Sequence, residues 1–113
     1  MLAALAVALG AFGAHGLKAR LSADMLAVWH TAVQYHAWHA LGLLAVGLSG
    51  DGPWLRAAGA LLIAGVALFA GSLYGLALGA PRALGMVTPI GGAAFIFGWI
   101  AFAIGIISAR TPA

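Results

Sequence analysis

The chain has 113 residues, of which 65% are hydrophobic and only 6% are charged. Water-soluble domains carry about 25% charged residues, so this composition excludes a water-exposed globular surface and indicates an integral membrane protein. The net charge of +3 comes from single basic residues at the ends of apolar runs, which excludes a nucleic-acid-binding patch. The sequence has no cysteine, which excludes disulfides, zinc–thiolate sites and iron–sulfur clusters.

Four apolar blocks predict four transmembrane helices, because a helix needs about 20 apolar residues to span the hydrocarbon layer. The predicted helices cover approximately residues 1–16, 23–48, 54–79 and 83–108. The first block is the shortest, and we expect either a short, tilted helix or a natural start slightly upstream. No basic segment precedes its apolar run, so we expect no cleaved signal peptide. Short connections make consecutive helices antiparallel neighbours, which predicts an all-α, four-transmembrane-helix antiparallel bundle forming one integral membrane domain.

The connections contain residues that favour helix starts and divide the charges between two surfaces. Ser22 is suited to cap the second helix, and Pro53 is suited to begin the third. The basic residues fall into two groups, one on each side of the membrane: Lys18, Arg20 and Arg82, and opposite them Arg56 and Arg110. The positive-inside rule therefore predicts that the first and third connections face the cytoplasm and that both termini lie outside.

The second predicted helix contains the stretch YHAWHAL, which places polar rings inside a membrane span. Tyr35 and His39 are separated by four residues and share one helix face. His36 and His39 have a spacing that suits a metal or haem chelate. No carboxylate lies inside a predicted span to complete or orient such a site, so we predict no metal site.

Small residues in the third and fourth predicted helices favour close helix packing. Gly71, Gly75 and Gly79 recur every four residues, and Gly98 offers a similar position in the fourth helix. Such positions let a partner backbone approach closely because no side chain intervenes. Packing within the bundle is the first interpretation of the glycine row, and a homo-oligomer interface is the alternative.

Pro89 lies about one and a half turns into the fourth predicted helix, where a proline removes a backbone hydrogen bond, so we expect a kink or a locally irregular turn there. Counting along the helices at about 1.5 Å per residue places most uncharged polar side chains in the membrane half nearest Lys18. The candidate polar cluster or ligand pocket comprises His15, Tyr35, His39, Ser72, Tyr74 and Thr88.

Three interpretations of this cluster are open. In the first, the polar side chains hydrogen-bond between helices and stabilise packing, by about 0.6 kcal/mol for each bond. In the second, they line a pocket for a lipid, a quinone or a haem. In the third, they form a proton or small-solute pathway, for which an intramembrane acid or paired broken helices would be expected. No nucleophile is paired with a base and an orienting carboxylate, so no enzymatic activity and no obligatory cofactor are predicted.

The segments GAFGAHGLK, YHAWHALGLL, LFAGSLYGLAL and VTPIGGAAFIFGW resemble, in order and spacing, the four signature segments of the domain-of-unknown-function family 423. This family comprises small bacterial inner-membrane proteins and is related to the eukaryotic transmembrane protein 256. The resemblance covers nearly the whole chain and implies four transmembrane helices with no assigned biochemical activity. The residues that match the family pattern are His15, Tyr35, His39, Gly71, Ser72, Leu73, Tyr74, Thr88, Pro89, Gly91, Gly92 and Trp99.

Two departures accompany the resemblance. Family members usually have several more residues before the first helix, and the position of His36 is often glutamine, which weakens His36 as a candidate ligand. Residues and resemblance together predict a non-enzymatic membrane component that packs against itself or a membrane-complex partner. The alternatives are a lipid-, quinone- or haem-binding accessory subunit and a small-solute or proton transporter.

Overall fold

The computed structural model describes residues 1–110, and all regular structure in this range is helical. There are four long helices, connected by short turns, so the all-α prediction is confirmed for these residues. Their bounds are α1 (Leu2–His15), α2 (Ala23–Leu48), α3 (Pro53–Ala77) and α4 (Thr88–Arg110). The middle of α3, Val66–Ala70, is a π-helical turn, and a 3₁₀ turn over Arg82–Met86 precedes α4.

The helix starts follow the local sequence. The Ser22 hydroxyl accepts a hydrogen bond from the backbone N–H of Met25 at 3.2 Å, which caps α2. Pro53 occupies the first turn of α3, where backbone N–H groups have no partner within the helix, so the missing N–H of proline costs no hydrogen bond. The carboxylate of Asp51 accepts two hydrogen bonds from Arg56, at 2.8 Å and 2.7 Å. Hydrogen bonding from Arg56 lowers the pKa of Asp51 to about 2.

Irregular backbone occurs at two places, just before Pro89, where an irregular turn was one expected alternative to a kink, and in the middle of α3. Pro89 is the second residue of α4 and lies in its first turn, so it does not kink a helix. The irregular backbone precedes it as the 3₁₀ turn. The π-helical turn of α3 was not expected, and it faces Gly91 of α4. A Cβ added at Gly91 would lie 2.3 Å from the backbone nitrogen of Phe69, so the two helices touch backbone to backbone.

The expected glycine row of α3 is not a continuous helix face. The helix ends at Ala77, and Gly79 lies in the following turn with φ of 100°. A Cβ at Gly71 would meet open space, whereas one at Gly75 would lie 2.7 Å from Leu84. In contrast, Gly98 of α4 packs directly on α3, because a Cβ there would lie 2.9 Å from Leu62.

The core of the molecule is the set of antiparallel helices α2, α3 and α4. Along this core, large side chains of one helix pack directly against glycines of another. Phe95 packs against Gly65, and Leu55 packs against Gly105. Ala58, Leu62 and Ala70 of α3 are fully buried at the centre. Close approach of this kind increases van der Waals contact, which replaces the hydrophobic effect as the main attraction between helices in lipid.

The helix α1 lies at the edge of this core and packs mainly against the first half of α2. It contains 14 residues, whereas α2 contains 26, so the second half of α2 extends beyond α1. Two apolar grooves flank α1, with volumes of about 610 Å³ and 540 Å³. Both grooves include Ala3 and Leu41 in their walls, so they adjoin.

Two of the helices are long and apolar enough to cross a membrane. The segments Pro53–Ala77 and Arg82–Ala109 reach mean hydropathies of 2.0 and 2.2, and only 33% and 28% of these windows is buried inside the protein. A core helix of a soluble protein would be mostly buried. Large apolar side chains instead face outward, among them Ile63, Ile96, Phe97 and Ile100.

Candidate functional site

The buried face of α2 carries the histidines of the candidate site. Trp29, Ala32, His36, His39 and Ala40 are each at most 7% exposed and recur at helical spacing. His36, at 1%, is among the most buried side chains of the described chain. His36 and His39 therefore face the other helices, which is the arrangement that an apolar solvent requires.

His36 is held between α2 and α3 by a tyrosine. Its Nδ1 and the Tyr74 hydroxyl form a hydrogen bond of 2.9 Å. The Tyr74 ring packs against Trp29 with ring centroids 4.7 Å apart, and the Trp29 indole N–H donates to the carbonyl of Leu9 at 2.9 Å. This chain of contacts links α1, α2 and α3. The second ring nitrogen of His36, Nε2, is buried without a hydrogen-bond partner.

His39 is oriented by its own helix and by stacked rings. Its Nδ1 lies 2.7 Å from the carbonyl oxygen of Tyr35, and because a carbonyl only accepts, Nδ1 carries the proton. The imidazole stacks on Phe95 of α4 with centroids 3.5 Å apart and an interplanar angle of 14°. Tyr35 in turn packs on Phe69 at 4.6 Å. The group therefore joins α2 to both α3 and α4.

A hydroxyl pair connects α3 to the start of α4. The Ser72 hydroxyl donates to the carbonyl of Phe69 at 2.9 Å and also pairs with the Thr88 hydroxyl. Since Ser72 has a single proton and gives it to Phe69, Thr88 donates to Ser72. Ser72 is 3% exposed, so this pair lies inside the protein beside the π-helical turn.

The structure divides the six predicted site residues into separate groups. Tyr35 and His39 contact each other through a stacked pair with centroids 6.0 Å apart, and Ser72 and Thr88 form the hydroxyl pair. Tyr74 bonds to His36 instead of joining either group. His15 is the exposed last residue of α1 and is not brought into the buried cluster. The predicted single pocket is thus divided: His36–Tyr74 and Ser72–Thr88 are hydrogen-bonded pairs between helices, whereas Tyr35 and His39 form a stacked pair within α2.

His36 is more central to the buried cluster than the sequence indicated, and Trp29 and Phe95 were not among the predicted site residues. The spacing of Trp29, Ala32 and His36 could have indicated that they share a buried helix face. His36 lies seven residues, or two turns, after Trp29, and the small Ala32 lies between them on the same face. The position of Phe95 has no comparable signal. Its partner across the bundle is Gly65, where a Cβ would lie 2.3 Å from the Phe95 ring, and that pairing depends on how α3 meets α4.

The chemistry available to this cluster is hydrogen bonding and ring stacking. Within residues 1–110 no group of three or more His, Cys, Asp or Glu residues is placed to hold a metal ion. The apolar grooves of about 610 Å³ and 540 Å³ are lined by residues other than the polar pairs. Each pair instead bridges two helices or a side chain and a backbone carbonyl, as described above.

An all-helical chain with outward apolar side chains and with polar side chains that pair between its helices defines a small helical membrane protein. The chain belongs to the family described as "Protein of unknown function (DUF423)", whose profile matches residues 9–92, and the resemblance in the sequence is thereby confirmed. No solved structure matches the chain.

Bacterial relatives cover most of the chain and are named as membrane proteins. The chain is 50% identical to UPF0382 membrane protein YwdK of Bacillus subtilis (strain 168) in an alignment of 110 residues that covers 93% of this chain and 89% of the relative. It is 49% identical over 105 residues to UPF0382 membrane protein SSP2132 of Staphylococcus saprophyticus, covering 91% and 88%. A UPF0382 membrane protein of Haemophilus influenzae is 41% identical over 107 residues, covering 93% and 86%.

Proposed function

We propose that this protein is a non-enzymatic packing component of the bacterial inner membrane that spans it with four helices. The observation that carries the proposal is that two pairs of polar side chains hydrogen-bond to each other across helices. The pairs His36–Tyr74 and Ser72–Thr88 each join two helices. Such pairs stabilise a bundle in lipid and need no bound substrate.

The helix α2 crosses the membrane in this proposal although it is less apolar than α3 and α4. Its 26 residues are about 39 Å long, which exceeds the hydrocarbon thickness of about 30 Å. His36 and His39 face inward, whereas Trp38, Leu41 and Leu44 face outward, and His30 near the start of the helix is exposed. The helix α1, at about 21 Å, is shorter than the hydrocarbon layer and crosses it with local thinning of the bilayer.

Single-cysteine labelling tests the four spans, because the natural sequence has no cysteine. Cysteines replace the exposed Ala19, Gly50 and Ala83, one in each connection. A membrane-impermeant maleimide is expected to label positions 19 and 83 from the cytoplasmic side and position 50 from the outer side. Labelling of positions 19 and 50 from the same side would refute the four-span arrangement.

The absorption spectrum and the extracted lipids of the purified protein test the packing role against a haem- or quinone-binding role. His39 is the relevant residue, because its Nε2 is free to act as a ligand once Nδ1 donates to Tyr35. We expect no Soret band and no stoichiometric quinone. A Soret band that disappears in His39→Leu would overturn the packing role.

A lipid-binding accessory subunit is the second candidate, and the grooves beside α1 favour it. Their volumes of about 610 Å³ and 540 Å³ lie within the usual range for small-molecule sites, and their walls are apolar. Native mass spectrometry from lipid nanodiscs tests this role. A lipid adduct retained at a fixed stoichiometry is the expected signature, and release of all lipid at low collision energy would contradict it.

A further inference from the structure

Gln34 is a polar side chain on the outer surface of α2. It is exposed and makes no hydrogen bond to any other described residue. It lies about 16 Å along α2 from Ala23, close to the middle of this helix of 26 residues. Thr31, one turn earlier, satisfies its hydroxyl by donating to the carbonyl of Ala27 at 3.1 Å. Gln34 has no such internal partner.

In the proposed membrane arrangement an unpaired carboxamide at this depth is unfavourable. Hydrocarbon offers it neither a donor nor an acceptor, and no water is present to replace them. The same side chain on a soluble helix would be solvated and would call for no partner. The depth of Gln34, together with its exposure, therefore points to a polar group supplied by another molecule.

The surface next to Gln34 is shaped to receive a helix. Ala37 and Leu41 follow Gln34 on the same face of α2 and line the groove of about 540 Å³. On the other side of that groove α1 presents small side chains, including Ala3, Gly10 and Ala11. Small residues at such positions allow the backbone of a neighbouring helix to approach closely.

We infer that this α1–α2 face binds the same face of a second copy of the chain, with the two Gln34 carboxamides hydrogen-bonded to each other across a two-fold axis. The inference rests on the proposed membrane-spanning position of α2. A carboxamide carries both donors and an acceptor, so it is complementary to a copy of itself. An isologous dimer brings identical residues together near its axis, which meets this requirement.

Other molecules that could fill the groove would not provide hydrogen-bond partners for the Gln34 carboxamide. A lipid acyl chain would fill the apolar groove but would leave the carboxamide without a partner. The outward face of α4, with Ile96, Phe97 and Ile100, is apolar, and lipid solvates such a surface as well as a protein would. Gln34 therefore distinguishes the α1–α2 face from the other lipid-facing surfaces.

Disulfide cross-linking in liposomes tests the interface directly. Gln34→Cys places a thiol at the proposed axis of a chain that has no other cysteine. Ile100→Cys is the matched control, because Ile100 is 49% exposed and lies about 18 Å from the start of α4, a similar depth. With copper phenanthroline, we expect covalent dimers to form at least about tenfold faster in the Gln34→Cys variant than in the Ile100→Cys variant.

Substitutions that keep the protomer intact test the energetic role of the carboxamide. Energy transfer between labelled copies, measured as the protein-to-lipid ratio is varied, reports the dimer dissociation constant. Gln34→Leu is expected to raise this constant about five- to tenfold, because it removes the paired bonds across the axis. Ala37→Phe projects into the groove and is expected to raise it similarly. Neither change touches the buried core, so the thermal unfolding midpoint should remain close to that of the natural protein.

The outcomes separate the dimer from the membrane placement of α2. Equal cross-linking at positions 34 and 100, or an unchanged dissociation constant in Gln34→Leu, would overturn the dimer. A monomer that retains a phospholipid, with the lipid lost in Ala37→Phe, would overturn it in favour of a lipid-filled groove. Labelling of the Gln34→Cys variant in intact vesicles by a water-soluble maleimide would show that α2 is not embedded, which would refute the proposed function instead.

Discussion

The contact of α4 with α3 includes a backbone-to-backbone approach at Gly91, which the contact of α1 with α2 lacks at Gly10 and Gly13. At Gly91 an added Cβ would lie 2.3 Å from the backbone nitrogen of Phe69. Backbone atoms cannot rotate away as a side chain can, so this overlap could be relieved only by separating the helices. At Gly13 the nearest atoms belong to the Trp29 ring, at 2.6 Å, and at Gly10 they belong to the Val33 side chain, at 3.3 Å. The α3–α4 contact is therefore rigid at Gly91, whereas the α1–α2 contact can adjust through side chains.

This difference shows which part of the bundle determines the fold and which part is free to interact. The core of α2, α3 and α4 contains the buried polar pairs and the close backbone contact. The helix α1 lies outside that core, beside grooves of about 610 Å³ and 540 Å³. Less buried contact means a lower local cost of opening, so α1 is the element most able to adapt to a partner.

The largest expected effect comes from breaking the rigid contact. Gly91→Ala should lower the free energy of unfolding by about 3 kcal/mol, because its Cβ would overlap backbone atoms of Leu68 and Phe69. Steric trapping in mixed micelles measures this quantity. Gly92→Ala is the control: its Cβ would lie 3.8 Å from the Phe69 ring, so the change should be neutral or stabilising. Equal losses in the two variants would contradict the rigid contact.

The same substitution on the adjustable side should have a smaller and more local effect. Gly13→Ala is expected to cost about 1.5 kcal/mol, because the Trp29 ring has to shift away from the new methyl group. Hydrogen exchange should become faster in α1 amides while α3 and α4 remain protected. Gly10→Ala, which meets only Val33, should change the free energy by less than about 0.5 kcal/mol. Uniform deprotection of all helices would show that α1 is part of the rigid core.

The hydrogen bond between α2 and α3 is expected to contribute less to the free energy of unfolding than either glycine contact. Tyr74→Phe removes the hydroxyl bonded at 2.9 Å to His36 and should cost about 1 kcal/mol. Tyr35→Phe is the matched control, because no hydrogen bond of the Tyr35 hydroxyl occurs within residues 1–110. The free energies of unfolding of the two variants, compared in one detergent, test the difference. A larger loss of unfolding free energy in Tyr35→Phe than in Tyr74→Phe would contradict the assignment of the polar contact between helices to Tyr74.

The smallest effect is expected at the turn between α2 and α3, outside both contacts. The pKa of Asp51 is lowered to about 2 from its ordinary 3.8, so its ion pair with Arg56 stabilises the fold fully above pH 3.8 and ceases to do so as pH falls through about 2. Both side chains are over 70% exposed, at 74% and 71%, so the fall in unfolding midpoint should be slight. Asp51→Asn should remove this part of the pH dependence, and an unchanged profile would contradict the assignment.

Short-range features of the fold were predictable from the sequence. Ser22 caps α2, Pro53 begins α3, and the apolar blocks became helices, because these outcomes depend on neighbouring residues and on backbone chemistry. Tyr35 and His39 share a face for the same reason, since helical periodicity alone places them there.

Features that depend on contacts between two helices were harder to predict from the sequence. The sequence indicated a kink or a locally irregular turn near Pro89. A 3₁₀ turn does precede this residue, but Pro89 itself lies in the first turn of α4, and the π-helical turn of α3 was not indicated. His15 was expected beside His39, yet α1 ends with His15 at the surface. Depth along a helix could be counted from the sequence, but the rotation of each helix about its axis could not.

The sequence by itself determined that this is an apolar, helical membrane protein of a recognisable family, and it determined the local starts of its helices. These properties follow from composition and from contacts within a few residues. Only the tertiary structure decided that His36 pairs with Tyr74, that Gly91 meets a π-helical turn, and that Gln34 is left without a partner. These outcomes depend on the mutual rotation and separation of helices, which are set by packing between residues far apart in the chain.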